Sequence, residues 1–493
     1  MADDFDALTF PPPRERIYCN RTLSLRGIRA IGFDMDYTLI HYHTEPWEGA
    51  AYEHARARLV SAGWPVQELR FDPSFATLGL VLDLELGNVV KANRFGYVKR
   101  AFHGTREVEF ASMRDIYARE PIDLGDRRYR FMNTLFALSE AHLYAQFVDL
   151  LDAGELDQAN ETIRHGLPLG YEEAYRLVRS AIDEAHMMGE LKAEIIADPD
   201  SFVDLDPDVP LALMDLAHGG KKVMLITNSG WPYTRAMMEW SFDRFLPKSK
   251  GWRDLFDVVI VAARKPLFFS APNPAYEVVD EDKGLLEPTL GALERGKVYH
   301  GGSADLVEKQ LDVRGEDVLY VGDHIFSDVN VSKRLYRWRT ALVVRELEQD
   351  LEALESFKPK QAELTAKMDL KEAMEHRLSH MRLALQRLER GYGPQADVDA
   401  EALRERAKTL RKELRALDAT IGPLAAEYGR LSNERWGLLM RAGNDKSHLA
   451  RQIEKNADIY TSRVSNFLGN TPFVYLRSPR GSLPHDHGPA GGS

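Results

Sequence analysis

Two aspartates, Asp34 and Asp36, stand one residue apart at the end of a short apolar segment, in the stretch 31–39 that reads IGFDMDYTL. If this segment is a strand of a parallel sheet, its carboxyl end opens onto the crevice where α/β folds bind ligands. Asp34 could then attack phosphorus while Asp36 carries a proton. The same residue types also suit an ordinary strand-to-turn transition, because Asp and Thr side chains bond to nearby backbone groups there.

Further polar residues follow apolar runs later in the chain. Thr227, Asn228 and Ser229 offer hydroxyls and backbone N–H groups at a strand-to-helix turn, which suits a bound phosphate. Lys265 could neutralise charge on a transferring phosphoryl group, although a lysine in a loop is also commonly solvated. These clusters favour phosphoryl chemistry over a simple turn at Asp34.

Asp323 and Asp328 add two carboxylates after another apolar run that is typical of a buried strand. Negative charge is costly there without a cation. Together with Asp34 they predict an oxygen-rich site suited to Mg²⁺, which prefers a few carboxylates, several waters and a phosphate oxygen. His324 is interpreted as a loop residue, because the surrounding ligands suit a hard cation.

Continuous apolar runs with helix-like segments between them predict an α/β fold whose core is a Rossmann-like parallel sheet. We expect this core to comprise 22–45 and 206–345. The segment 46–205 lacks regular alternation and predicts an inserted α+β cap. The runs that follow the first strand are 223–226, 258–261, 318–321 and 341–344.

The region 346–477 has a different character and predicts a C-terminal helical hairpin. Apolar residues recur there at heptad-like spacing in two stretches separated by Gly391 and Pro394, so the two helices must fold back on each other or pack on a partner chain. The tail 478–493 is rich in Gly, Pro and Ser and is predicted to be flexible. The two stripes are Met374, Leu378, Met381, Leu385 and Leu388, then Leu403, Ala407, Leu410, Leu414, Leu417 and Ile421.

Composition excludes several function classes. The chain of 493 residues has no run of about 18 apolar residues and begins with acidic residues, so we expect no membrane span, no secretory signal and a cytoplasmic location. The single cysteine, Cys19, allows no intramolecular disulfide. A formal charge of −12 argues against general nucleic-acid binding, which depends on clustered Lys and Arg.

The order of these clusters resembles the haloacid dehalogenase-like phosphotransferases, and within that superfamily the cytosolic purine 5′-nucleotidase family. The likeness covers nearly the whole chain. The motifs that carry it are FDMDYTL at 33–39, NTLF at 133–136, ARKPLFF at 263–269, GGS at 301–303, GDHIF at 322–326, ADIY at 457–460 and LPH at 483–485.

The resemblance implies a role for each residue of the core site. Asp34 would be the nucleophile and Asp36 the general acid/base. Mg²⁺ would be held by Asp34, the backbone carbonyl of Asp36 and Asp323, with Asp328 supporting the site.

The phosphoryl group would be bound by Thr227, Ser229 and Lys265, with Asn228 in the same loop. A carboxylate nucleophile would split hydrolysis of a phosphomonoester into two displacements.

In the cap, the family's substrate-selecting pattern is matched by Arg179, Asp183 and His186. At positions i, i+4 and i+7 these residues share one helix face, so they could address a purine edge. The alternative is an intrahelical Arg–Asp pair with a solvated histidine.

Two departures from the family's pattern bear on substrate choice. Met187 stands where an aromatic residue is usual, and Thr105 with Arg106 replaces a Phe-Asn pair. Arg106 could stack on a base or bind another phosphate, so the nucleobase stays open.

These observations predict a Mg²⁺-dependent 5′-nucleotidase acting on nucleoside 5′-monophosphates, with purines favoured by the resemblance and with phosphotransfer to a nucleoside left open. The alternatives are a phosphatase for another phosphorylated metabolite and a non-catalytic scaffold of the same fold. The resemblance also leaves open a nucleotide effector. With the heptad stripes, it implies a homodimer or homotetramer.

Overall fold

The computed structural model describes residues 10–187, 189–289, 291–394 and 397–479, and it leaves the side chains of 186 and 187 undescribed. Two compact units divide this part of the chain. The first contains the described residues up to Glu348 together with Leu439–Pro479, and the second is Gln349–Leu438. None of the described helices combines the length and the apolar character needed to cross a bilayer.

The strands of the described residues are short and lie mostly in the first half of the chain and around residues 200–345. In chain order they are β1 (Tyr18–Cys19), β2 (Leu23–Ser24), β3 (Ala30–Phe33), β4 (His41–Tyr42), β5 (Val81–Asp83), β6 (Asn88–Ala92), β7 (Val98–His103), β8 (Arg106–Glu107), β9 (Tyr129–Phe131), β10 (Val203–Asp204), β11 (Lys222–Ile226), β12 (Val258–Val261), β13 (Ala275–Asp280), β14 (Leu285–Pro288), β15 (Val298–Gly301), β16 (Val318–Gly322), β17 (Arg339–Val343), β18 (Arg441–Ala442), β19 (Asp445–Lys446), β20 (Ile459–Thr461) and β21 (Tyr475–Leu476).

The α-helices connect these strands or build the cap and the hairpin. In chain order they are α1 (Thr44–Ser61), α2 (Phe110–Tyr117), α3 (Leu138–Asp152), α4 (Asp157–Arg164), α5 (Tyr171–Met187), α6 (Glu190–Ala197), α7 (Pro199–Phe202), α8 (Val209–His218), α9 (Trp231–Phe242), α10 (Leu267–Ser270), α11 (Ala304–Leu311), α12 (Val331–Tyr336), α13 (Leu347–Arg390), α14 (Ala400–Tyr428) and α15 (His448–Asn456). A six-residue π-helical segment, Ile325–Asn330, leads into α12.

The main sheet has the strand order β1-β20-β17-β16-β3-β11-β12-β15-β13-β14. The seven strands from β20 to β15 run parallel, and the others pair antiparallel at the two edges. The predicted α/β fold with a parallel sheet is therefore confirmed. The central strands are apolar and buried on both faces, which is why their sequences read as continuous apolar runs.

The chain reverses its direction of travel across the sheet beside β3. It proceeds from β3 to β11 and β12 on one side, and later enters β16 and β17 on the other side. Such a switch point opens a crevice at the carboxyl ends of the central strands. Asp34 directly follows β3 and Asp323 directly follows β16, so both carboxylates lie at this crevice.

The segment between β4 and β10, which we call the cap, has a sheet of its own. Its five strands lie in the order β8-β7-β6-β5-β9 and are all antiparallel. Apolar residues of this sheet and of α2 form a separate buried cluster that includes Val81, Val90 and Met113. The two strands that enter and leave the cap pair with each other, Tyr42 opposite Val203 and His41 opposite Asp204.

In the second unit, α13 and α14 bury part of their apolar stripes against each other. Leu378 of α13 lies in one cluster with Ala407, Leu410 and Leu414 of α14, and Met374 and Met381 pack beside them. This is the folded-back arrangement that heptad spacing allows within a single chain.

Residues 439–477 differ from the sequence-based division, which kept 346–477 as one helical region. They belong to the unit of the main sheet, because β20 pairs in parallel with β17 at Ala341–Ile459 and Val343–Thr461. A three-residue strand after a long helical region has too little periodicity to be recognised from sequence. The predicted tail lies outside the described residues from 480 onward.

Candidate active site

A cavity of about 170 Å³ lies at the carboxyl ends of the central strands. It brings together the predicted residues that follow β3, β11, β12 and β16 with a short stretch of the cap. The lining residues are Asp34, Asp36, Thr134, Phe136, Thr227, Asn228, Lys265, Asp323, His324, Ser327 and Asp328.

Lys265 is the buried cation of this cavity. Its Nζ lies 2.7 Å from Asp34 Oδ2 and 2.8 Å from Asp328 Oδ1, and it donates to the hydroxyl of Tyr320 at 3.0 Å. Burial disfavours its charged form, but attraction to Asp328 and Asp34 outweighs burial and raises the pKa of Lys265 well above its ordinary value. The ammonium therefore stays charged beside the nucleophile candidate.

Tyr320 reaches this position because Gly32 has no side chain. A Cβ at Gly32 would lie 2.9 Å from the Tyr320 ring, closer than carbon atoms tolerate. The tyrosine hydroxyl also donates to the backbone carbonyl of Ile226 at 2.9 Å. Tyr320 thus links Lys265 to the strand that precedes the 227–229 loop.

Asp34, Asp323 and Asp328 can each offer one carboxylate oxygen within 4.8 Å of the other two. Burial raises the pKa of Asp34, and burial with repulsion from Asp328 and Asp34 raises the pKa of Asp323 well above its ordinary value. In the described part of the chain, one buried ammonium contacts this cluster, so excess negative charge remains when all three ionise. Hard oxygen donors with uncompensated negative charge fit a divalent cation such as Mg²⁺.

Gly322 and His324 shape the loop that carries two of these carboxylates. A Cβ at Gly322 would lie 2.5 Å from Asp328 Oδ2, so only glycine leaves room for that carboxylate. The His324 ring accepts the backbone N–H groups of Phe326 and Ser327 at its Nδ1, and burial lowers its pKa to about 4. His324 is therefore a neutral cap of the following helical segment.

Both carboxylate oxygens of Asp36 are hydrogen-bonded. Oδ1 accepts the hydroxyl of Tyr42 at 2.5 Å, and Oδ2 accepts the hydroxyl of Ser229 at 2.6 Å. The Nζ of Lys192, from α6 of the cap, donates to the same serine oxygen at 3.2 Å. Burial raises the pKa of Asp36, although Lys192, Ser229 and Tyr42 oppose this shift.

The loop after β11 is tied to the loop after β12. The Asn228 side chain accepts the backbone N–H of Lys265 at 2.6 Å and donates to its carbonyl at 3.1 Å. Thr227 Oγ1 accepts the Ser229 N–H at 3.0 Å. Ala262 and Arg264 adopt left-handed backbone angles, φ 47° and 59°, which are strained for residues with a side chain. Strain of this kind commonly accompanies a functional loop.

The cap residues Arg179 and Asp183 form the intrahelical pair that was one of the two sequence interpretations. Arg179 bonds Asp183 at 2.9 Å and also reaches Glu140 at 2.5 Å. The Arg179 charge also contributes to the lowered pKa of His324, which results first from burial and then from Lys265. The side chain of His186 lies outside the described residues.

Thr105 and Arg106 bind carboxylates of α3. The Thr105 backbone and hydroxyl both bond Asp149, at 3.0 and 2.6 Å. Arg106 is more exposed and lies 3.6 Å from Asp149 and 3.8 Å from Asp152. The cavity lining, as far as the structure describes it, includes neither residue.

Sequence reasoning missed Tyr42, Lys192, Glu140 and Tyr320. Lys192, Glu140 and Tyr320 are far in sequence from the residues that they contact. Tyr42 is close in sequence to Asp36, but no recognisable motif marks it. Tyr320 was part of a predicted strand, but its reach to Lys265 depends on the neighbouring Gly32.

Known proteins are similar to this chain over most of its length. The model of a family described as the 5′ nucleotidase family matches residues 17–488. A 5′-nucleotidase domain-containing protein of Dictyostelium discoideum is 27% identical over 479 residues, which cover 95% of this chain and 74% of that protein. The 5′-nucleotidase domain-containing protein 2 of Rattus norvegicus is 27% identical over 485 residues, covering 94% and 79%.

A solved structure, described as a predicted phosphoglycolate phosphatase from Haemophilus somnus, is 12% identical, covers 64% of this chain and 86% of its own, and has a TM-score of 0.26. This likeness is too weak to support a conclusion.

Replacing Lys265 with methionine should destabilise the metal-free protein. Asp34 and Asp328 lose their shared cation, and breaking a buried ion pair costs about 3–5 kcal/mol. Because burial raises the pKa of Asp34 and Asp323 above the unfolded value, the folded variant takes up protons before the unfolded chain does as the pH falls. The deficit in unfolding free energy, measured by urea denaturation, should therefore be largest at alkaline pH and shrink as the pH falls through those raised values.

Lys222→Met is the matched control, because Lys222 is 55% exposed and pairs with Asp257 on the surface at 3.1 Å. This control should lose at most about 1 kcal/mol. Equal losses of unfolding free energy in the two variants would show that the Lys265 ion pair stabilises the protein no more than a surface ion pair does.

Proposed function

Because this chain belongs to the 5′-nucleotidase family and is thus a phosphoric monoester hydrolase, we propose that it is a Mg²⁺-dependent 5′-nucleotidase that hydrolyses nucleoside 5′-monophosphates through an aspartyl-phosphate on Asp34. The main support is the contact of Lys265 with Asp34 at 2.7 Å, in a cavity that Asp36 also lines. A nucleophile, a fixed positive charge and a proton carrier are the groups that this reaction needs.

In the first step, an oxygen of Asp34 attacks phosphorus and the bond from phosphorus to the ester oxygen breaks. The electron pair leaves with the ester oxygen, which takes a proton from Asp36. Lys265 offsets negative charge on the phosphoryl oxygens, and the hydroxyl and N–H groups of 227–229 orient them. The products are the nucleoside and phosphorylated Asp34.

In the second step, water attacks phosphorus and gives a proton to Asp36, which is now the base. The bond from phosphorus to the Asp34 oxygen breaks and restores the carboxylate. A nucleoside hydroxyl in place of water would complete a phosphotransfer instead. Both outcomes use the same residues of this chain.

We propose that Asp34, the backbone carbonyl of Asp36 and Asp323 hold Mg²⁺, with Asp328 supporting the site. When bound, Mg²⁺ would offset the charge of the phosphoryl group and of the clustered carboxylates. The fit rests on one carboxylate oxygen each of Asp34, Asp323 and Asp328, which lie within 4.8 Å of one another.

We propose that residues of the cap select a purine base. Arg179 is 48% exposed and keeps donors free to address a base, although Glu140 and Asp183 hold it. Arg106 is 69% exposed and, among the described residues, has only long contacts to Asp149 and Asp152, which favours a second candidate function. It could bind a further anionic group, so the alternative is a phosphatase for another phosphorylated metabolite.

We also propose that the protein forms a homodimer or homotetramer, with some of its contacts made by residues from about 350 to 475. Much of the heptad stripe is covered inside the hairpin, but Leu370 of α13 is 53% exposed and Met368 is 40% exposed. Apolar residues left in water on a long helix favour a partner helix.

Turnover of a panel of nucleoside monophosphates should require Mg²⁺, stop on addition of EDTA and return with excess Mg²⁺. Asp34→Asn should abolish turnover and the acid-stable capture of labelled phosphate on the protein, because an amide cannot act as the nucleophile. Asp36→Asn should lose about 10²–10⁴-fold, the usual contribution of general acid–base catalysis.

Asp282→Asn is the matched control, since this carboxylate is 91% exposed, and it should behave as wild type. Activity of Asp34→Asn within about tenfold of wild type, with the protein folded, would exclude the aspartyl-phosphate mechanism.

Arg179→Ala should raise KM for a purine monophosphate roughly ten- to a hundredfold, as expected for a lost hydrogen bond to a charged group, and should change KM for 4-nitrophenyl phosphate little. Arg176→Ala is the control on the same helix, because Arg176 pairs only with Glu172 and Glu173 among the described residues. Equal loss on both substrates would assign Arg179 a structural role.

Sedimentation of the wild-type protein at micromolar concentration should show a species of at least two chains. Leu370→Lys should shift the distribution towards smaller species, since it places a charge on an exposed apolar position. Leu410→Lys should instead lower the stability of the hairpin, whose interior it enters. A monomeric wild type would contradict the proposed assembly.

A further inference from the structure

The cap is joined to the main sheet by two short strands that pair with each other. The chain enters the cap through β4 and returns through β10, with Tyr42 opposite Val203 and His41 opposite Asp204. A shift of the cap relative to the sheet must act on this pair of strands, because the chain crosses between the two parts there.

Tyr42 on β4 connects this crossing to the active site. Its hydroxyl donates to Asp36 Oδ1 at 2.5 Å, and the hydroxyl of Tyr233 donates to the Tyr42 oxygen at 3.0 Å. Both tyrosines are buried, 3% and 4% exposed. The Tyr42 ring packs against Trp47 of the cap helix α1, with ring centroids 4.3 Å apart. The hydroxyl is therefore held from the cap side by its ring and from the sheet side by Tyr233.

The second oxygen of Asp36 is held from the cap as well. Oδ2 accepts from Ser229, and Ser229 accepts from Lys192 of α6. Each oxygen of Asp36 is thus the end of a chain of two donors, Tyr233 and Tyr42 for Oδ1 and Lys192 and Ser229 for Oδ2. Because each oxygen accepts one hydroxyl, the orientation of the Asp36 carboxylate depends on both Tyr42 and Ser229.

We propose that Tyr42, oriented by Tyr233, is a positioning residue that holds Asp36 for proton transfer to the leaving oxygen. The Asp36 carboxyl is then aligned only while β4 and β10 are paired. This inference rests on the proposed function. It assigns the crossing strands a catalytic consequence, because Tyr42 lies on one of them and contacts the proton carrier.

The chemistry supplies a test that separates alignment of the acid from structural support. When the bond from phosphorus to the ester oxygen of a nucleotide breaks, the departing sugar oxygen needs a proton from Asp36. The oxygen of 4-nitrophenyl phosphate leaves as a stable anion and needs none. A defect confined to Asp36 alignment must therefore affect the nucleotide far more than the aryl ester.

Tyr42→Phe removes the hydroxyl and keeps the ring packed on Trp47. Through kcat/KM, which reports the step that forms phosphorylated Asp34, we expect a loss of about 10- to 100-fold for a nucleoside monophosphate and less than about threefold for 4-nitrophenyl phosphate. In an Asp36→Asn background, Tyr42→Phe should cause no further loss on the nucleotide, because the group that it aligns is already gone. Tyr233→Phe should act in the same direction with a smaller loss.

Tyr144→Phe is the matched control, a buried tyrosine of the cap whose hydroxyl has no hydrogen-bond partner within the described residues, and it should leave both substrates unchanged. Equal loss on both substrates, or an undiminished effect of Tyr42→Phe in the Asp36→Asn background, would overturn the inference. If Tyr42→Phe does not fold, Tyr233→Phe tests the inference by the same comparison of kcat/KM on the two substrates. A wild type that hydrolyses neither substrate would contradict the proposed function itself. If the wild type is active but Tyr42→Phe leaves the ratio of kcat/KM for the nucleotide to kcat/KM for 4-nitrophenyl phosphate unchanged, only the role of Tyr42 is contradicted.

Discussion

The buried ammonium of Lys265 between Asp34 and Asp328 is the interaction on which the site depends. Carboxylates that end adjacent buried strands repel one another, and burial alone would favour their neutral forms. One lysine at 2.7 and 2.8 Å from two of them offsets that cost and keeps a reactive carboxylate at the crevice. Lys265 follows β12, which is separated from β3 by β11, so it must reach across a strand. Tyr320 belongs to β16, on the opposite side of β3, and its side chain passes over Gly32 to contact Lys265.

Much of the main sheet could be predicted, because strands buried on both faces have a local signature. The apolar runs at 223–226, 258–261 and 318–321 became β11, β12 and β16, and the polar residues after them meet in one cavity. Parallel strands bring their carboxyl ends to one edge, so the spacing of motifs along the chain was enough to group these side chains.

What the sequence could not predict depends on contacts between distant segments. Tyr42 and Asp36 are close in sequence, but the role of Tyr42 follows from its pairing with Val203. Lys192 and Glu140 have no motif of their own, and their partners lie 37 and 39 residues away. In the cap, Glu48 lies fully buried under α3, where burial raises its pKa to about 7 and the Ser139 N–H bonds it. No local pattern distinguishes such a glutamate from a solvated one.

The position of β20 has a consequence for how the protein is made. This strand covers the outer side of β17, and Asp458 beside it is buried among Arg21, Lys333 and Arg339. A ribosome releases these residues only after the whole of α13 and α14. Until then the nascent chain carries β17 as an open edge and three cations without their shared carboxylate. Exposed edges of this kind invite pairing with other chains. Synthesis of the long hairpin therefore delays the pairing of β20 with β17, and during this delay the β17 edge can pair with other chains. A chaperone that shields the β17 edge would act in that interval.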